Sequence, residues 1–131
     1  MNALVQTADG LFVVDVESEE IVVHEPDERL EPAPEVKLEL PRVVSAAAAG
    51  STVVALVDRR PPLLVSHDAG RTWREAGGGL PAGRAVAVAD GDPDLVLFAA
   101  RNRLYLSSDG GRFWRSLAPE LPEIEAVSWE A

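Results

Sequence analysis

The sequence predicts an all-β protein assembled from repeated four-stranded units. Three observations point there. The first is an internal echo: Leu63-Leu64-Val65-Ser66-His67-Asp68-Ala69-Gly70-Arg71-Thr72-Trp73-Arg74 returns 41 positions later as Leu104-Tyr105-Leu106-Ser107-Ser108-Asp109-Gly110-Gly111-Arg112-Phe113-Trp114-Arg115. The second is that the register holds in the flanks. Gly50 maps to Gly91, Leu56-Val57 to Leu97-Phe98, Leu80-Pro81 to Leu121-Pro122 and Ala85-Val86 to Ala126-Val127. Two copies with matched flanks at one offset mark a structural repeat. The third is composition along the chain. Short segments rich in Val, Leu and Ala are broken by Gly, Pro, Asp and Ser, and none sustains a helical apolar period.

Each element follows in order. The first unit shows three strands, about 3–8, 11–16 and 20–25. Its segment Ala8-Asp9-Gly10-Leu11-Phe12-Val13-Val14-Asp15 is aligned with Ala100-Arg101-Asn102-Arg103-Leu104-Tyr105-Leu106-Ser107, and Val16-Glu17-Ser18-Glu19-Glu20 replaces the glycine-rich turn. Residues 26–41 form a connection. Pro26, Pro32 and Pro34 exclude a central strand or helix there, leaving an exposed connection with an outer strand at Val36–Leu40, or alternatively a disordered acidic loop. The second unit supplies strands at about 43–49, 52–58, 63–67 and 72–76, and the third at 85–89, 94–100, 103–108 and 113–117. The alanine run 46–49 has helical propensity, but its counterpart Ala87-Val88-Ala89 fits a buried inner strand. Residues 125–130 occupy the first-strand position of a fourth repeat, and the first unit lacks that strand.

Bulk properties exclude several classes. The 131 residues are 47% hydrophobic, which suits one packed domain. A formal charge of -10 repels a phosphate backbone, so nucleic acid is not an expected partner. There is no cysteine, so disulfides and thiolate metal sites are excluded. Neither a signal peptide at Met1–Asp9 nor an apolar run long enough for a membrane helix is visible. The expected location is cytoplasmic, with no membrane partner.

The motif Ser-x-Asp-x-Gly-x-Thr-Trp resembles the Asp box, or BNR repeat, carried on β-propellers by sialidases, sortilin-type receptors and photosystem II assembly factors. Ser66, Asp68, Gly70, Thr72 and Trp73 match at every defined position. The second copy keeps Ser107, Asp109, Gly111 and Trp114 but has Phe113 for threonine. The resemblance implies a β-propeller with three four-stranded blades per chain. Blade 1 would be 2–25 plus strand 125–130, blade 2 would be 42–78 and blade 3 would be 84–118, with 26–41 as the connection. It also implies that the box is structural. Its aspartates accept backbone hydrogen bonds within their own hairpin, and its glycines permit positive φ. Catalysis or metal binding by Asp68 and Asp109 is the competing reading.

Three blades do not close a ring, which normally takes four to eight. Two chains would supply six, so a C2 homodimer is predicted. In it, residues 125–130 would complete the partner's first blade, and the otherwise unpaired edge of strand 3–8 would be covered. A fragment of a longer propeller is the alternative.

Propeller ligands usually meet the loops between strands 2 and 3 and between successive blades. Those loops carry Arg42, Arg59, Arg60, Arg84, Arg101 and Arg103, six of the eleven arginines. Guanidinium groups suit a carboxylate, a phosphate or an acidic protein surface. The plainer reading pairs them with Asp58, Asp9 and Glu125. His24 and His67 lack metal-ligand spacing. Asp90-Gly91-Asp92-Pro93-Asp94 forms a turn whose Gly and Pro explain it without calcium. No metal or cofactor is expected.

The expected function is therefore a binding or scaffold propeller that recognises an anionic small molecule or an acidic protein on its arginine-rich face. The alternative is a glycoside hydrolase resembling sialidases, or a remnant of one. Against it, the single tyrosine, Tyr105, falls on a third strand beside the Asp box, and no Arg-Ile-Pro segment is present. No catalytic residue is named.

Overall fold

The computed structural model describes residues 1–32 and 36–131; Ala33, Pro34 and Glu35, within the predicted connection, lie outside the described residues. Twelve strands and no helix occur among the described residues. They are β1 (Asn2–Thr7), β2 (Gly10–Asp15), β3 (Glu20–Glu25), β4 (Val43–Ala49), β5 (Thr52–Val57), β6 (Leu63–Ser66), β7 (Arg74–Ala76), β8 (Ala85–Ala89), β9 (Asp92–Ala99), β10 (Leu104–Ser107), β11 (Arg115–Ser116) and β12 (Ile124–Trp129). They form three antiparallel sheets of four, ordered β12-β1-β2-β3, β4-β5-β6-β7 and β8-β9-β10-β11. The outer strands β7 and β11 have only three and two residues. Both are shorter than predicted, because the Ser-x-Asp-x-Gly turns hold the chain in bends up to Trp73 and Trp114.

The sheets radiate as blades. The first strands meet: β8 touches both β4 and β12. Between them lies a cavity of about 340 Å³ lined by Ala47, Val88 and Trp129 among others. Blade 3 is the centre of the arc. One face packs against blade 2 through Leu56, Leu63, Val65, Val96, Phe98 and Trp114. The other packs against blade 1 through Leu97, Leu104, Leu106, Val5, Phe12 and Val14. Phe98, Leu56, Leu63, Leu97 and Leu104 are fully buried. Side chains of this kind each contribute about 1.5–3 kcal/mol by leaving water.

Three expectations are corrected. Residues 125–130 were expected to complete a partner's blade. Instead β12 pairs with β1 of its own chain, Val5 opposite Val127 and Ala3 opposite Trp129. The reason is proximity. Ile124 N–H donates to the Arg101 carbonyl at 2.7 Å, so β12 leaves blade 3 directly beside blade 1. The edge of β1 is thereby covered.

The alignment of the first unit also slips by one residue. Phe12 stands opposite Val5, and Tyr105 stands opposite Phe98. Val5 in turn faces Val127 as Phe98 faces Val86, so Phe12 occupies the place of Tyr105 rather than Leu104. A one-residue slip exchanges the two faces of a strand.

Finally, Val36–Leu40 forms no strand. Leu38 and Leu40 instead pack, as Trp73 does, against Ala55, Val57 and Leu64, on the face of blade 2 turned away from blade 3. At the other end of the connection, Leu30 N–H donates to Gln6 Oε1 at 2.7 Å, on the face of blade 1 turned away from blade 3. The described parts of the connection thus form a strap, with Leu30 on the open face of blade 1 and Leu38 and Leu40 on that of blade 2.

Candidate binding site

The β5–β6 and β9–β10 hairpin loops, with the segments entering β4 and β8, hold the six arginines, and the structure divides them into two groups. Arg84 Nη2 donates to Glu123 Oε1 at 2.8 Å, and Arg101 Nε lies 3.8 Å from the same oxygen. Arg103 Nη2 donates to Glu120 Oε1 at 3.1 Å. Arg84 beside Glu123 holds that carboxyl below its usual range, first through the hydrogen bond and then through charge, with Arg101 adding to it. These three arginines are committed to the loop between β11 and β12. Of the partners named for the plainer reading, Glu125 instead pairs with Arg29 at 3.2 Å, and among the described residues neither Asp58 nor Asp9 forms an ion pair with the six arginines.

Arg42, Arg59 and Arg60 form the second group. Asp58 N–H donates to the Arg42 carbonyl at 2.9 Å, which ties the entrance of β4 to the loop after β5. Arg42 has φ of 60°, a left-handed conformation that costs a residue with a Cβ about 1–2 kcal/mol. Beside this tie lies a hollow of about 190 Å³ lined by Val44, Asp58, Arg59, Arg60 and Gly83 among others. All three arginines are exposed. Among the described residues, no carboxylate lies within ion-pair distance of any of them.

At the opposite end, the two Ser-x-Asp-x-Gly boxes build their own turns. Ser66 Oγ donates to Asp68 Oδ1 at 2.7 Å and accepts from Gly70 N–H at 2.8 Å. Thr72 binds both carboxylate oxygens, through its N–H at 2.9 Å and its hydroxyl at 2.6 Å. In the second box, Ser107 Oγ donates to Asp109 Oδ1 at 2.8 Å and accepts from Gly111 N–H at 2.9 Å. Phe113 N–H donates to Asp109 Oδ1 at 3.0 Å, but no hydroxyl is present to reach Oδ2. The Thr72 bonds, helped by Ser66, hold Asp68 far below the carboxylate range. Asp109 is lowered by the Phe113 N–H and then by Ser107. The tryptophans that follow pack on blade faces: Trp114 between blades 2 and 3, and Trp73 under the strap.

Other candidates fall into structural places. His24 stacks on Phe12 with ring centroids 4.0 Å apart. His67 is exposed, with Nδ1 3.3 Å from Thr52 Oγ1. In the acidic turn, Asp94 N–H donates to Asp92 Oδ1 at 3.2 Å as the chain enters β9. Tyr105 meets Phe98 edge-on, centroids 5.9 Å apart, within the seam between blades 2 and 3.

Sequence reasoning missed a pair of structural arginines. Arg74 Nη2 donates to the Gly110 carbonyl at 2.7 Å, and Arg115 Nη2 to the Val16 carbonyl at 3.1 Å. Each reaches from one blade to the turn after the third strand position of the next. The available signal was that both follow the box tryptophan at the same repeat position.

The class of protein defined here is an all-β, propeller-like chain of three blades. No protein-family model and no curated protein matches it. Among solved structures, it resembles YCF48 bound to D1 peptide with a TM-score of 0.52 at 19% identity, covering 94% of this chain and 39% of that one. It also resembles the GH74 enzyme of Niastella koreensis with a TM-score of 0.50 at 24% identity, covering 88% of this chain and 17% of that one. The chain therefore spans well under half the length of either structure, and both likenesses are of fold.

Proposed function

We propose that this chain is a non-catalytic binding module that receives an acidic protein segment at Arg42, Arg59 and Arg60. The observation carrying this reading is the division of the rim. Three arginines already have carboxylate partners, whereas Arg59 and Arg60 line a hollow, with Arg42 tied beside it through Asp58, and none of these three has an ion-pair partner among the described residues. Carboxylates bind such guanidinium groups through short, charge-assisted hydrogen bonds. The rim belongs to a chain of net charge -10, so a positive patch here selects where an acidic segment lands. One structure of similar fold is described with a bound peptide, which is compatible with this use of the scaffold.

Glycoside hydrolysis draws less support. A general acid needs a raised carboxyl pKa, and Glu123 at this rim is shifted down. Tyr105 is engaged in a blade seam.

The test is fluorescence anisotropy with a labelled oligoglutamate peptide. Arg59→Ala combined with Arg60→Ala is expected to weaken binding about tenfold, and added salt to weaken it further. Arg103→Ala is expected to have the smaller effect. Equal binding by all variants, or hydrolysis of a chromogenic sialoside that rim substitutions abolish, rejects the reading.

A further inference from the structure

The two ends of the arc are complementary to each other. On blade 1, the face turned away from blade 3 carries Leu4, Leu11 and Val13. Leu4 stands opposite Val13 and Ser128, just as Leu97 stands opposite Leu106 and Ala87. Leu97, Leu104 and Leu106 are the surface of blade 3 on which blade 1 sits. Their counterparts 41 positions earlier, Leu56, Leu63 and Val65, are the surface of blade 2 on which blade 3 sits. The same kind of surface therefore appears three times and receives a blade twice.

The other end shows the reciprocal surface. Ala55, Val57, Leu64 and Trp73 face outward from blade 2. Their counterparts 41 positions later are Val96, Phe98, Tyr105 and Trp114. That set is the part of blade 3 seated against blade 2. A blade resembling blade 2 is thus what the open face of blade 1 is shaped to receive. Blade 2 of the same chain lies on the far side of blade 3 and is not in reach.

We infer that the open face of blade 1 receives the open face of blade 2 from a second copy of this chain, and that the strap is displaced when it does. The two contacts are related by a two-fold axis, so the assembly closes as a ring of six blades. The strap is the present occupant of both faces and covers them incompletely. It leaves a hollow of about 660 Å³ lined by Leu4, Leu11, Leu30, Pro32 and Trp129 among others. Leu4 and Leu11 stay only half-buried there, while Leu97 and Leu104 under blade 1 are fully buried. Closing such gaps recovers dispersion contacts and removes apolar surface from water. The arginine clamp is not repeated: Val23, opposite Val13, stands where Arg74 and Arg115 stand opposite Val65 and Leu106. Apolar stacking carries the contact. This inference does not rest on the reading of the arginine rim.

Sedimentation equilibrium of the 131-residue chain tests it. The expected mass is twice 14.0 kDa. Leu11→Asp is expected to weaken self-association about tenfold or more, while circular dichroism keeps the β signal of a folded chain. Leu38→Ser combined with Leu40→Ser loosens the strap without changing a residue of the blades, and is expected to strengthen self-association about tenfold. A mass of 14.0 kDa up to the highest soluble concentration overturns the inference. So does a dimer unaffected by Leu11→Asp, or open-ended polymers in place of a closed pair.

Discussion

Arg74 crosses the seam between two blades to place Nη2 2.7 Å from the carbonyl oxygen of Gly110. This bond satisfies a turn carbonyl with a charged donor and locks blade 2 to the Asp109 turn of blade 3. Arg115 repeats it at Val16 and adds a bond to Glu19 at 3.0 Å. The clamp carries a cost, because Arg74 Nε is buried without a partner.

Arg74→Ala is expected to destabilise the chain by about 1–3 kcal/mol, the range for losing a hydrogen bond to a charged group. Arg74→Lys is expected to recover only part of this, since an ammonium lacks the planar fork. Urea unfolding curves with unchanged slope check both. A neutral Arg74→Ala would mean that packing alone joins the blades.

The turn aspartates set an acid dependence. Asp68 and Asp109 are both lowered in the folded chain relative to an unfolded value of about 3.9. Their stabilising contribution is therefore fully present above the unfolded value and is lost as pH falls through the folded values. Asp68→Asn is expected to lower the unfolding midpoint at neutral pH, by an amount that shrinks as the pH is taken well below about 4. Thermal melts across that range check the sign. A deficit that grows on acidification contradicts it.

Phe113 replaces the threonine of the first box and is 79% exposed. Phe113→Thr is expected to supply the missing hydroxyl to Asp109, as Thr72 does to Asp68 at 2.6 Å. The Asp109 pKa should fall further, as read by carboxyl carbon NMR titration. An unmoved Asp109 would show that the second turn does not reproduce the first.

Gly83 and Gly91 separate packing from turn geometry. A Cβ on Gly83 would lie 2.7 Å from Leu56 Cδ1 and from Phe98 Cε2, whereas a Cβ on Gly91 meets nothing within 4 Å. Gly83→Ala is expected to cost about 1–3 kcal/mol by overpacking the seam. Gly91→Ala should stay within about 0.5 kcal/mol. Denaturant melts of the two variants check the contrast, and equal effects would refute it.

Much of the fold was legible because its strongest signals are local. Ser66, Asp68, Gly70 and Thr72 bond within one hairpin, so spacing alone reveals them. The matched pairs Leu63/Leu104 and Trp73/Trp114 carry the blade repeat for the same reason. The site was less legible. All six rim arginines were named, yet which of them are already paired depends on Glu120 and Glu123. Those carboxylates arrive from the loop after β11, and three of the arginines lie in loops formed much earlier in the chain. The slip at Phe12 was hidden as well, since a strand reads almost the same in either register until its partner sets the face.

By itself, the order of residues determined the strand content, the 41-residue repeat and the chemistry of the turns. These follow from backbone geometry and from hydrogen bonds between near neighbours. Only the tertiary structure decided that β12 returns to β1 of the same chain, that 36–40 is coil rather than strand, and that Arg42 joins Arg59 and Arg60. Those outcomes turn on contacts between residues far apart in sequence, where the entropy of closing the chain is weighed against the surface it buries.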